Sequence, residues 1–192
     1  MDPDRTQIDV RRPWQGQELI FLLGPGGVGK STLGRELAKR LSWPHIDLDL
    51  EFCESFGEIG GFIGTHGYER YRAENLDLAF SLTASIDRPT LFVTSSGFLA
   101  ARAGTRDYAQ ARQLVSTGYG LVLLPSLDIE IATPLVVARQ LSRGFGLERA
   151  TEDRKFRERF DIYRREGDVL VVSMEPPDQI ASAVEQAIHQ KT

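Results

Sequence analysis

Short, wholly apolar runs alternate along this chain with longer segments whose apolar residues recur at helical spacing. Glu18-Leu19-Ile20-Phe21-Leu22-Leu23 is the first such run, of the length and character of a strand buried on both faces. Residues 31–41 follow with a helical period. Further strands are expected at 44–48, 89–94, 120–124 and 168–173, and helices at 68–85, 107–116, 129–141, 153–165 and 177–190. Pro134 falls in the first turns of the helix at 129–141, where proline is tolerated. Residues 50–86 are helical in character but punctuated by Gly57, Gly60, Gly61, Gly64 and Gly67. Residues 1–17 are polar, carry Pro3 and Pro13 and show no period, so they read as a flexible tail. Strands alternating with helices predict one α/β domain over 18–192, a three-layer fold with a five-stranded parallel sheet flanked by helices.

The turn between the first strand and the first helix carries the clearest chemistry. Gly24-Pro25-Gly26-Gly27-Val28-Gly29-Lys30-Ser31 satisfies the P-loop pattern G-x-x-x-x-G-K-[ST], in the strand–helix context that pattern needs. Glycines let backbone N–H groups turn inward around a polyphosphate, and the emerging helix adds its positive end. Gly26, Gly27, Val28, Gly29, Lys30, Ser31 and Thr32 are therefore the expected ATP-binding residues. Lys30 is placed to reach the β- and γ-phosphates and the Ser31 hydroxyl to ligate Mg²⁺.

Composition narrows what such a domain can do. The 192 residues are 41% hydrophobic and 26% charged, the balance of a soluble globular domain. No apolar run approaches the ~20 residues of a membrane span, and no basic-then-apolar leader opens the chain. A net charge of −4 argues against a general nucleic-acid binder. A lone Cys53 forms no internal disulfide, so a reducing cytoplasm and a monomer are the expected setting. The length is too small for a helicase or transporter ATPase core, and the Asn-Lys-x-Asp motif of common GTPases is absent. Basic residues gather late, from Arg139 to Arg165. A basic stretch at about 142–152 reads as a mobile lid that would exclude water from a transferring phosphate.

Asp47-Leu48-Asp49 stands at the end of the second expected strand. On an extended chain the two carboxylates project to one side. One suits a Mg²⁺-bound water and the other a substrate hydroxyl; alternatively Asp49 only caps the next helix.

The P-loop, Asp47-x-Asp49, Gly67-Tyr68-Glu69-Arg70-Tyr71-Arg72 and Arg159-Phe160-Asp161-Ile162-Tyr163 together resemble the shikimate kinases, in order and spacing, over about residues 18–190. The resemblance implies a nucleoside-monophosphate-kinase-like fold and transfer of the ATP γ-phosphate to a hydroxyl of shikimate, a step of aromatic amino acid biosynthesis. It implies Ser31 as direct Mg²⁺ ligand, Asp47 assisting through water, and Asp49 on the substrate hydroxyls as a possible base. Arg72 and Arg159 would grip the substrate carboxylate, whose two oxygens suit a planar guanidinium. Ser96 and Gly97 would line the acceptor pocket. Arg143 is the candidate lid arginine, with Arg139 its rival, because the family's R-P-L-L lid signature is missing. Three further departures touch the acceptor pocket alone. Ser95-Ser96-Gly97 stands where the family has three glycines, and Tyr68 and Asn75 stand where it has glutamates. Those departures keep open a kinase for another hydroxylated carboxylic or sugar acid, gluconate-like, or a non-catalytic sensor that binds without turnover.

Overall fold

The computed structural model describes residues 6–142 and 147–189. Its elements, in chain order, are β1 (Gln7–Val10), β2 (Ile20–Leu23), α1 (Lys30–Leu41), β3 (His45–Asp47), α2 (Leu48–Phe56), α3 (Ile59–His66), α4 (Tyr68–Thr83), β4 (Leu91–Val93), α5 (Arg106–Val115), β5 (Tyr119–Leu124), α6 (Ile129–Leu141), α7 (Arg149–Tyr163), β6 (Val169–Val172) and α8 (Pro177–His189). One sheet in the order β1-β6-β5-β2-β4-β3 runs through the molecule. Strands β2 to β6 are parallel. All four residues of β2 and all six of β5 are buried, as strands covered on both faces require. Helix α1 packs on α8 and β4, α6 on α7, and α4 on α3 and α5.

The sheet has six strands, not five. Gln7–Val10, inside the segment expected as a tail, pairs antiparallel with β6 from Gln7↔Val172 to Val10↔Val169. Its burial is slight, so the apolar signal that marks the inner strands is missing. Polar contacts hold it instead. Arg12, just beyond β1, donates through Nε to Asp168 at 2.7 Å, through Nη1 to Glu18 at 2.6 Å and through Nη2 to the Gly118 carbonyl at 2.9 Å. Its guanidinium also lies 5.1 Å from the centroid of the Tyr119 ring. These partners push the Arg12 pKa still higher, with the Asp168 hydrogen bond the largest cause. Arg12→Ala is expected to lower unfolding free energy by about 1–2 kcal/mol, since several charge-assisted bonds are lost from a partly exposed site. Urea unfolding measures this, and an unchanged midpoint would contradict it.

Two other expectations shift. Helix α7 begins at Arg149, so the end of the segment expected as a lid is helical, while residues 143–146 lie outside the described residues. The Asp47-x-Asp49 pair is not one extended stretch: β3 ends at Asp47 and α2 begins at Leu48. Asp47, not Asp49, caps that helix, accepting from the Asp49 N–H at 3.2 Å.

Candidate active site

The P-loop follows β2 and ends in the first turn of α1. The N-cap of that helix is Gly29, with no side-chain cap bond and no acidic residue in the first turn. Its leading N–H groups and positive dipole end are therefore left without a side-chain cap, which suits them to an anion. Gly27, at φ 80°, could not carry a side chain: a Cβ there would lie 2.9 Å from Val136 Cγ1 and 3.0 Å from the Val136 carbonyl oxygen on α6. Lys30 is buried and folds back over the loop, its Nζ donating to the Gly24 carbonyl at 2.8 Å and to that of Pro25 at 3.1 Å. Ser31 and Thr32 are exposed at the mouth of the helix.

One cavity opens from this loop and a larger one lies close by. The first, of about 270 Å³, is bounded by Gly27, Val28, Gly29 and Thr32 and, across from them, by Arg139 and Glu175. Its P-loop wall makes it the candidate nucleotide side. Arg139 lines it, whereas Arg143 lies outside the described residues. The N-terminal strand braces its rim: Thr6 Oγ1 donates to Glu175 Oε2 at 2.5 Å and hydrogen-bonds Ser173 Oγ at 2.8 Å. The other cavity, of about 520 Å³, lies between α3, α4 and α7. Asp49, Ser96, Gly97, Lys155 and Arg159 supply its polar lining, with Ile59, Ile63 and Ile162 among the apolar wall. Gln140 reaches it from the end of α6 and also leans over the P-loop, where a Cβ on Gly26 would meet its Nε2 at 2.5 Å. This cleft and the P-loop are thus neighbours, joined across Gln140.

Helical spacing explains the α7 contribution. Glu152, Lys155, Arg159 and Tyr163 recur at intervals of three and four and share one face. Arg159 Nη1 donates to Ser96 Oγ at 3.0 Å and Nη2 to the Tyr68 hydroxyl at 3.2 Å. Tyr163, fully buried, accepts from the Leu99 N–H at 3.3 Å and donates to the Ser96 carbonyl at 3.3 Å, so it fixes the loop that carries Ser96. Burial pushes its pKa up to about 12, which keeps the phenol a neutral donor. Glu152 is buried and accepts from Lys155 Nζ at 2.9 Å. On α4, Tyr71 has its pKa raised by burial and then by nearby Asp49.

Arg72 is placed differently from what its motif implies. It lines a separate pocket of about 20 Å³, with Nε 3.8 Å from Asp107 Oδ2 on α5. Tyr68, Tyr71 and Gly97 form the boundary between that pocket and the cleft. Lys30 and Ser31 thus sit at the P-loop while Asp49, Ser96, Gly97 and Arg159 come together in the cleft, and Arg72 stays behind the tyrosines. That Gln140, Lys155 and Asp107 line these cavities was not legible in the sequence. Tyr68 had a signal, since it breaks a motif at a functional position.

A mostly parallel sheet with a P-loop after an inner strand, a cavity at that loop and an acidic–basic cleft nearby define a P-loop protein of the α/β class. The family model for shikimate kinase matches residues 26–189, and the chain belongs to that family. The shikimate kinase of Rhodopseudomonas palustris is 27% identical over 182 residues, covering 91% of this chain and 82% of that one. The match covers 55% of shikimate kinase 2 of Syntrophotalea carbinolica, at 28% identity, and 7% of the pentafunctional AROM polypeptide of Eremothecium gossypii, at 31%. Among solved structures, the shikimate kinase of Acinetobacter baumannii in complex with shikimate superposes with a TM-score of 0.72 at 22% identity, covering 89% of this chain and 92% of that one. A gluconokinase from Sinorhizobium meliloti reaches 0.56 at 19% identity, covering 92% and 95%. At such identities these structures speak for the fold. No helix among the described residues is long and apolar enough to cross a membrane.

Proposed function

We propose that this chain, over residues 18–192, is an ATP-dependent kinase that transfers the γ-phosphate to a hydroxyl of a hydroxylated carboxylic acid, with shikimate the first acceptor. The observation that carries the reading is the adjacency of a Lys30-bearing P-loop to a cleft with Asp49 and Arg159 on its wall. Lys30 leaves the Gly24 and Pro25 carbonyls for the β/γ-phosphate oxygens, and the helix N–H groups hold the rest of the triphosphate. Asp49 receives the acceptor hydroxyl and its proton. Arg159 takes the acceptor carboxylate. Arg139, on the nucleotide side, is the better-placed candidate to neutralise phosphate charge; Arg143 stays a proposal from its position in the chain.

The residues present fit Mg²⁺. An exposed Ser31 hydroxyl and a buried Asp47 carboxylate are hard oxygen donors, and this ion needs few protein ligands because phosphates and waters complete its shell. Ser31 would hold it directly and Asp47 through water, and it would supply charge neutralisation for the transferring phosphate. The exposed free Cys53 suits a reducing cytoplasm, where we take the chain to act as a monomer on a small molecule, without nucleic acid or membrane.

A coupled ADP-release assay tests this, with shikimate against a panel of hydroxy acids and sugar acids. ADP release with shikimate is the expected result. Release with another acid alone would make the chain a kinase of sister specificity, a reading the displacement of Arg72 favours. No release with any acid would reduce it to a binding protein.

A further inference from the structure

Arg72 and Arg159 lie on either side of one phenol ring. Tyr68 opens α4 directly after Gly67, stands 41% exposed, and sends its hydroxyl to Arg159 Nη2 at 3.2 Å. It also covers Gly97 so closely that a Cβ there would lie 2.6 Å from the phenol oxygen. Behind it, the pocket of about 20 Å³ has room for about one water molecule. Two donors face that pocket. One is Arg72, whose Nε lies at the outer limit of an ion pair with Asp107. The other is Asn75, 3% exposed, whose Nδ2 has no partner among the described residues. A buried amide donor without an acceptor is a standing cost that a carboxylate oxygen would remove.

We propose that Tyr68 is a movable partition that selects the acceptor. An incoming carboxylate displaces the Tyr68 hydroxyl from Arg159, the ring withdraws, and the Arg72–Asn75 pocket joins the cleft. The inference rests on the hydroxy-acid reading above and names the residue that sets which acids are held by both arginines. The exchange runs downhill because a carboxylate on a guanidinium is a stronger acceptor than a neutral phenol. Little opposes the movement, since so exposed a ring gives up little burial when it turns. Acids whose carboxylate stands clear of the ring reach Arg72 and Asn75 as well, whereas acids with a hindered carboxylate stay on Arg159 alone.

Steady-state kinetics on an acid that supports ADP release, with wild type, Tyr68→Phe and Arg72→Gln, test the exchange. Tyr68→Phe removes the competing hydroxyl and should lower the acceptor KM about tenfold, near the lower end of the worth of one hydrogen bond to a charged group. It should change kcat less than KM and leave the ATP KM alone. Arg72→Gln should raise the acceptor KM at least about tenfold. An unchanged or raised KM in Tyr68→Phe, or an unchanged KM in Arg72→Gln, overturns the proposal. A second measurement needs no turnover: the rate at which phenylglyoxal labels Arg72, followed by peptide mass spectrometry in wild type and Tyr68→Ala. Faster labelling in the variant is expected, and equal rates overturn the partition. Faster labelling with no ADP release from any acid would sink the kinase reading and leave the partition standing.

Discussion

Lys30→Ala is expected to lower phosphoryl transfer by at least about 100-fold, the usual cost of deleting one preorganised group that meets developing charge. The chain should keep its fold. In the structure Lys30 spends its charge on the Gly24 and Pro25 carbonyls, where it stands in for the bonds a polyphosphate would make. Both carbonyls belong to a loop that glycines and the α1 N-terminus shape without the lysine. The strand beneath, Ile20–Leu23, is wholly buried. Activity should therefore collapse while the thermal midpoint moves little. ADP release at saturating ATP and a melting curve on the same preparation check both halves. Turnover close to wild type would remove Lys30 from the mechanism. A collapse of the melting transition would show that the lysine is a structural tie instead.

What the sequence made legible follows physical lines. The inner strands could be read because burial on both faces leaves a continuous apolar run, as in Leu121–Leu124 of β5. The P-loop could be read because backbone geometry restricts its residue types. Strand β1 could not: it is an edge strand, mostly exposed, held by backbone pairing and by Arg12, and none of these leaves a period. The Asp47-x-Asp49 pair does fall at a strand end, but its geometry turned on where β3 stops and α2 starts, and boundaries are what pattern reading resolves least well. Arg72 shows a different limit. Its place in the helix was legible, and Tyr68, Tyr71, Arg72 and Asn75 do share one face of α4. What its neighbours do could not be foreseen. Tyr68 in the position of a glutamate brings a ring long enough to reach Arg159, and that contact comes from two elements ninety-one positions apart.

Arg159→Ala is expected to raise the acceptor KM by roughly 10- to 100-fold, since a hydrogen bond to a charged group is worth about 1.5–3 kcal/mol. The ATP KM should stay nearly constant, because Arg159 lines the acceptor cleft and the nucleotide-side cavity is bounded by other residues. Arg159→Lys should recover little. The guanidinium here works as a fork, Nη1 on Ser96 and Nη2 on Tyr68, and a lysine ammonium can neither span both partners nor offer two parallel donors to a carboxylate. The fold should survive either change, since Tyr68 is open to water and Ser96 stays anchored through its carbonyl to Tyr163. Initial rates over a grid of ATP and acceptor concentrations separate the two constants. If Arg159→Ala weakened ATP and acceptor equally, the arginine would be serving the phosphates rather than the acid, and the cleft would have to be assigned to another ligand.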